Sequence, residues 1–314
     1  MTDPYGRSIT YLRLSVTEEC NLRCRYCVGE GTCRSRREEL LTREELLTAV
    51  RAAAALGVTK LRITGGEPLV RPDIVSLCRE AAAVPGIGEL CLTTNGTLLP
   101  GLAAPLREAG VRRVNISLDT LDAEKYRAIT RGGEFAKALA GIEAALDAGF
   151  EKVKLNTVLI GGFNDDEIPQ LAGLTRKWPA DLRFIELMPM VEGFGQEAFL
   201  PCSAVLAALP ELTPAEADGG VARLWRLPDG KGRVGLISPI GAHFCAACSR
   251  LRLTADGMLK PCLHAGDEIS VRGLDQAGME EKFREAILRK PLWHGELGFR
   301  EPSRAGRSMD RIGG

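Results

Sequence analysis

Residues 11–27 read YLRLSVTEECNLRCRYC. The opening stretch alternates apolar Leu12 and Leu14 with polar Arg13 and Ser15, the period of a β-strand with two unlike faces. The remainder is a loop carrying Cys20, Cys24 and Cys27 in the spacing C-x3-C-x2-C. Three thiolates are one short of a closed four-cysteine site, whether for zinc or for iron–sulfur. A [4Fe–4S] cube on three cysteines keeps one iron open to bind and reduce a small molecule, so the missing ligand reads as chemistry. A zinc knuckle or a redox dithiol is the plainer alternative.

The strand pattern recurs along the chain. KLRIT (60–64), ELCLTT (89–94), RRVNISLD (112–119), VKLNTVL (153–159) and LRFIEL (182–187) are strand-like, and helical stretches separate most of them. Thr42 to Glu45 is a capping box that opens a helix running to Gly57. Further helices are expected after Pro72, from about Phe135 to Ala148, and from Asp165 to Lys177. Repeated strand–helix units predict a parallel sheet with right-handed crossovers. Six such units predict an α/β fold, an incomplete (βα)6 barrel of the TIM type, rather than the closed eight-unit form.

Parallel strands covered on both faces read as continuous apolar runs; these alternate. One parity (Leu12, Leu14, Leu61, Ile63, Leu90, Leu92, Val114, Ile116, Val153, Leu155, Leu182, Phe184) is expected to face the helices. The other parity is polar and is expected to face the barrel interior. Arg13, Lys60, Arg62, Lys154 and Arg183 on that side would leave buried charge uncompensated, which is costly. A polyanion such as a triphosphate would satisfy it; a solvated sheet face is the plainer alternative.

The last third differs. VARLWRL, RVGLIS and LRLTADGMLKPC look like strands, with ADG as a hairpin turn and a helix near Met279 to Arg289. A boundary in the stretch Pro210–Gly220 divides the chain into a barrel over 1–215 and a smaller C-terminal α+β region over 216–314. That region holds a second triplet: Cys245 and Cys248 in C-x2-C, then Cys262. His264 could complete a Cys3His zinc site, and on spacing alone zinc and an iron–sulfur cluster rank equally. Arg250 and Arg252 share one face just after Cys248. A structural zinc site does not need such a pair, whereas an anionic substrate at an open iron would.

The chain has 314 residues, 45% of them hydrophobic, with 41 Lys+Arg against 41 Asp+Glu. Zero net charge argues against a broad nucleic-acid footprint. No apolar run is long enough to span a membrane and no signal-peptide core opens the chain. Ten cysteines in this length are too few for a disulfide scaffold. A cytoplasmic protein with reduced thiols is the expectation.

Together these residues resemble the radical S-adenosylmethionine (SAM) superfamily, and within it the GTP 3′,8-cyclase family of molybdenum cofactor biosynthesis. The likeness is carried by RLSVTEECNLRCRYC, LRITGGEPLVRPD, LTTNG, VNISLDTL, VKLNTVLIGGFND, RFIELMPM and GRVGLISPIGAHFCAACSRLRLTADGMLKPCL, in order over almost the whole chain. The chain ends in Gly313-Gly314, like the double-glycine tail of that family. The resemblance implies two [4Fe–4S] clusters, one on Cys20, Cys24 and Cys27 that cleaves SAM, the other on Cys245, Cys248 and Cys262. It implies a SAM pocket formed by Tyr26, Gly65, Gly66, Glu67, Pro68, Thr93, Asn95, Ser117 and Met188. It implies GTP held by Arg13, Lys60, Arg62, Lys154, Arg183, Arg250 and Arg252, with the last two and Gly313-Gly314 taking part in catalysis. It further implies an electron donor, a downstream cyclic pyranopterin monophosphate synthase and a homodimer. The sequence departs from the family pattern after Cys27, where Val28-Gly29 replaces the usual Met-Pro, in the Arg-rich stretch 30–37 with an extra Cys33, and at Val191. Two other readings compete: a radical SAM enzyme with an auxiliary cluster acting on a peptide, and a non-enzymatic metal-binding protein with a C-terminal zinc site.

Overall fold

In the computed structural model, which describes residues 1–29, 35–190, 193–242 and 244–313, the strand–helix alternation forms one curled sheet. Its first six strands are β1 (Tyr11–Ser15), β2 (Lys60–Thr64), β3 (Glu89–Thr94), β4 (Val111–Ser117), β5 (Lys152–Leu159) and β6 (Asp181–Glu186). Each starts and stops within two residues of the expected segment, and neighbours pair in parallel. The crossovers carry α1 (Arg43–Ala55), α2 (Ile74–Ala82), α3 (Ala103–Glu108), α4 (Ala123–Thr130), α5 (Phe135–Asp147) and α6 (Ile168–Lys177). Thr42 and Glu45 make both bonds of the expected capping box at the start of α1. A short α7 (Ser203–Ala208) follows β6.

The C-terminal strands join the same sheet. After β7 (Thr213–Pro214) and β8 (Arg223–Arg226), β9 (Val234–Ile237) pairs in parallel with β6. The next strand, β10 (Arg250–Leu253), pairs in parallel with β1 at the opposite edge. β11 (Met258–Lys260) and β12 (Ile269–Ser270) continue outward in antiparallel fashion. The order is β12-β11-β10-β1-β2-β3-β4-β5-β6-β9-β8-β7. Six parallel strands leave two edges of unpaired backbone groups, and β9 and β10 satisfy both. α8 (Gln276–Leu288) then packs beside α1, and α9 (Met309–Ile312) ends the described chain. Among the described residues no helix is long and apolar enough to cross a membrane.

The parity of the strands explains the core. The twelve outward residues from Leu12 to Phe184 are at most 3% exposed and lie under the helices. Truncating one of them, for instance Leu61→Ala, removes about 2–5 kcal/mol.

Candidate active site

The cysteine loop is fixed by its backbone. Val16 N–H donates to Thr64 O at 3.0 Å, Gly66 N–H to Thr17 O at 2.9 Å and Glu67 N–H to Glu19 O at 2.7 Å, so the turn after β2 extends the pairing of β1 with β2 into the loop. The glycines permit this approach: a Cβ on Gly66 would stand 2.5 Å from Glu19 O, and one on Gly65 2.6 Å from Thr17 O. On the other side Arg23 and Arg25 N–H donate to Thr130 O and Ile129 O at the end of α4. Tyr26 donates its hydroxyl to Asp119 at 2.7 Å, tying the loop to the end of β4. Leu22 N–H points at Cys20 Sγ, 3.4 Å away. The three cysteines are half-buried, and none is in a disulfide among the described residues. Burial, then the Asp119 charge, pushes the Cys24 thiol far above its ordinary value, and burial with the neighbouring thiols does the same to Cys27. A cationic metal group would reverse that pressure.

The second triplet lies at the other end of the same strand pair. Tyr11, the first residue of β1, is level with Arg250, so Cys245 and Cys248 precede the start of β10. Cys262 follows β11, which returns antiparallel to that same end. Five residues of strand separate the two triplets, about 16 Å at about 3.3 Å per residue. Against the upward push of burial, the charges of Arg250 and Lys290 hold the Cys248 thiol below its ordinary value. Arg7 braces the loop, with Nη1 donating to Cys245 O at 2.9 Å while Nε pairs with Asp3. His264 turns Nδ1 to Ser303 Oγ at 3.0 Å and packs edge-on against His294. Among the described residues no three His, Cys, Asp or Glu side chains converge on a single-ion point.

Between the triplets lies the polar parity of the strands. Arg252, Arg13 and Arg62 are register partners on β10, β1 and β2. Burial and the neighbouring arginines push Arg252 well below its ordinary value; burial, then Arg62 and Arg250 working against Tyr11, holds Arg13 at about 10. The C-terminal tail reaches this row. Arg252 Nη1 donates to Gly313 O at 2.6 Å, and Arg13 Nε lies 3.4 Å from the same oxygen. A Cβ on Gly313 would collide with Thr64 Oγ1. The tail is led there by Met309 N–H donating to Cys27 O at 3.2 Å and by Arg311 pairing with Glu18 at 3.2 Å. Gly314, His243, Val191 and Cys33 lie outside the described residues.

The expectation of uncompensated lumen charge needs correction. Lys60 pairs with Glu89 at 3.0 Å. Lys154 and Arg183 pair with Asp218 at 3.1 and 3.0 Å, and Arg233 approaches the same carboxylate at 3.4 Å. Although burial pushes it up, Lys154 and Arg183 hold the Asp218 carboxyl well below the usual range. Asp218 sits in a loop with no periodicity, so no sequence signal marked it. Glu89 was readable, since as first residue of its strand it stands level with Lys60. Tyr11 was also missed: burial raises its phenol, but Arg62 and Arg13 outweigh burial and bring it to about 8.

Other assigned residues fall as follows. The Glu67 carboxylate is buried and accepts from Leu69 N–H, Thr94 Oγ1 and Asn95 N–H, so it braces the turn against β3. Pro68 is buried beneath it. Asn95 donates to Asn21 at 2.8 Å, next to Cys20. Arg62 reaches Leu92 O at 3.1 Å and Thr93 Oγ1 at 3.3 Å. Ser117, half-buried, is level with Asn156, and Met188 lies just past β6. Of the cysteines assigned to no site, Cys78, Cys91 and Cys202 are buried. Several buried polar atoms on the inner faces have no partner among the described residues: Thr64 Oγ1, Asn115 Oδ1, Asn156 Oδ1, Arg183 Nε and Arg250 Nη2. Buried polar atoms are normally satisfied, so a polar ligand between the triplets fits this lining.

A curled parallel sheet presenting a three-cysteine loop at the end of its first strand defines a radical SAM type of enzyme. The Radical SAM superfamily model matches residues 14–175, and the Molybdenum Cofactor Synthesis C model matches residues 180–295. The chain is 50% identical over 328 residues to the GTP 3′,8-cyclase of Pelotomaculum thermopropionicum and 46% identical over 323 residues to that of Alkaliphilus oremlandii, covering 100% of both partners in each case. Its fold is similar to Streptococcus suis SuiB (TM-score 0.62, 15% identity, 92% of this chain and 67% of that one). It is also similar to methylornithine synthase (TM-score 0.53, 20% identity, 65% and 62%). The chain belongs to the GTP 3′,8-cyclase family of radical SAM enzymes. Neither the peptide-acting nor the non-enzymatic alternative is favoured by these relatives.

Proposed function

We propose that this chain converts GTP into (8S)-3′,8-cyclo-7,8-dihydroguanosine 5′-triphosphate, the first step of molybdopterin biosynthesis, with one nucleotide lying between its two cysteine triplets. The observation that carries the placement is the row Arg252, Arg13 and Arg62 at one level of three adjacent strands, with the Gly313 carbonyl set on the first two. Cys20, Cys24 and Cys27 would hold a [4Fe–4S] cluster, which with SAM bound would supply the radical chemistry needed to remove the 3′ hydrogen of GTP.

The chain's own residues orient and enclose. Gly65 and Gly66 bring backbone close enough to meet the SAM ammonium, while Glu67, Pro68 and Tyr26 act by holding the turn and the loop. Thr93, Asn95, Ser117 and Met188 complete that pocket. Cys245, Cys248 and Cys262 would hold a second cluster that takes the guanine, with Arg250 beside it among the residues that hold GTP. Arg13, Arg62, Arg252, Lys154, Arg183 and Lys60 meet phosphate and ribose oxygens through charge-assisted hydrogen bonds. Asp218 must yield its cations to the phosphates. Gly313 stands beside Arg252, and the Gly-Gly tail that it begins helps exclude water from the site. An electron donor, a cyclic pyranopterin monophosphate synthase that takes the product, a homodimeric assembly and a cytoplasmic setting belong to the same proposal and rest on family membership.

The test is turnover of the anaerobically reconstituted enzyme with SAM, a strong reductant and [3′-²H]GTP. The expected result is 5′-deoxyadenosine carrying the deuterium and a cyclised product in equal amount. Deuterium-free 5′-deoxyadenosine with unchanged GTP would overturn the proposal.

A further inference from the structure

Lys290 follows α8 and is 3% exposed. Its Nζ donates to Arg250 O and to Pro261 O, each at 2.8 Å. Its charge, with that of Arg250, acts on the Cys248 thiol. Arg250 is two residues past Cys248 and Pro261 immediately precedes Cys262, so one ammonium fastens both cysteine segments of the second triplet. Among the described residues no carboxylate pairs with it. Arg7, on the other side of the same loop, differs: its guanidinium is matched by Asp3 at 2.6 Å and touches only backbone of the triplet. A buried cation without a carboxylate is costly unless another negative charge stands beside it. At Lys290 that charge can come from the thiolates.

We propose that Lys290 is a positioning residue of the second triplet, setting the two cysteine segments in register through the Arg250 and Pro261 carbonyls and placing a positive charge beside the triplet so that the cluster there is easier to reduce. Hydrogen bonds to cluster sulfurs and nearby charge set the potential of such a centre, and a cation favours the form that carries more negative charge. The inference rests on the reading that this triplet holds an iron–sulfur cluster.

The test is a redox titration of the second cluster, followed by electron paramagnetic resonance, in the reconstituted wild type, Lys290→Met and Lys290→Arg. The expected result is a lower midpoint potential in Lys290→Met and a return toward the wild-type value in Lys290→Arg, with the first cluster unmoved. An intact second cluster with an unchanged potential in Lys290→Met overturns the inference and leaves the site reading standing. Zinc in the second site of the wild type overturns both. A second measurement does not depend on Lys290→Met assembling its cluster. With ¹⁵Nζ-labelled lysine, pulsed resonance of the wild type should show a nitrogen coupling to the reduced second cluster that disappears in Lys290→Arg, and its absence from the wild type overturns the inference.

Discussion

Arg252 concentrates the argument about single side chains. It is buried, faces Arg13 across the strand pair, and binds the tail carbonyl. A charge-assisted bond to a phosphate or ribose oxygen contributes about 1.5–3 kcal/mol, so Arg252→Ala should weaken GTP binding about 10–100-fold by calorimetry; unchanged affinity would remove Arg252 from the substrate site. Asp218 makes the opposite prediction. Its carboxylate competes with phosphate for Lys154 and Arg183, so Asp218→Asn should bind GTP more tightly than the wild type. The same residue has a stability signature. The folded chain keeps Asp218 ionised to lower pH than the unfolded chain does, so the unfolded chain takes up the proton first and this stability is lost as pH falls below about 4. Acid denaturation of Asp218→Asn should lack that part of the slope. Arg13 and Arg62 could be read from strand period alone, because every second residue of a strand shares a face. Asp218 could not, because a loop side chain is placed by tertiary folding and leaves no period.

The cysteine loop and the Gly65-Gly66 turn behave as one element. Gly66→Ala would set a Cβ against Glu19 O, and either the loop or the turn must move. Overpacking of this kind costs about 1–3 kcal/mol, and the expected outcome is lower iron content from loss of the first cluster while the second is retained. Full iron content in that variant would show that the turn does not position the loop. The first six strands, α1 and its cap were legible because their periods are strong and their ends are punctuated by Gly, Pro or a capping box. The short helices α3, α4 and α7, of six to eight residues, were not, since two turns carry little amphipathic signal. Of the C-terminal strands, β8 to β11 were visible as strands, and the two-residue β7 and β12 were not. The pairing of β9 with β6 and of β10 with β1 was not visible either, because which edge a strand covers depends on contacts far apart in sequence.

For the molecule as a whole, the sheet places the two cysteine triplets at opposite ends of β1 and β10 and lines the interval with arginine, asparagine and the end of the chain. Gly313 lies against Arg252 and Arg13. Deleting Gly313-Gly314 should therefore leave folding and iron content intact and lower turnover; undiminished turnover would return the tail to a passive role.

The decisive measurement is metal content of the anaerobically purified protein together with electron paramagnetic resonance before and after adding GTP. The account predicts about eight irons per chain, no zinc, and a changed signal from the second cluster when GTP binds. About four irons with one zinc, and a spectrum indifferent to GTP, would contradict it.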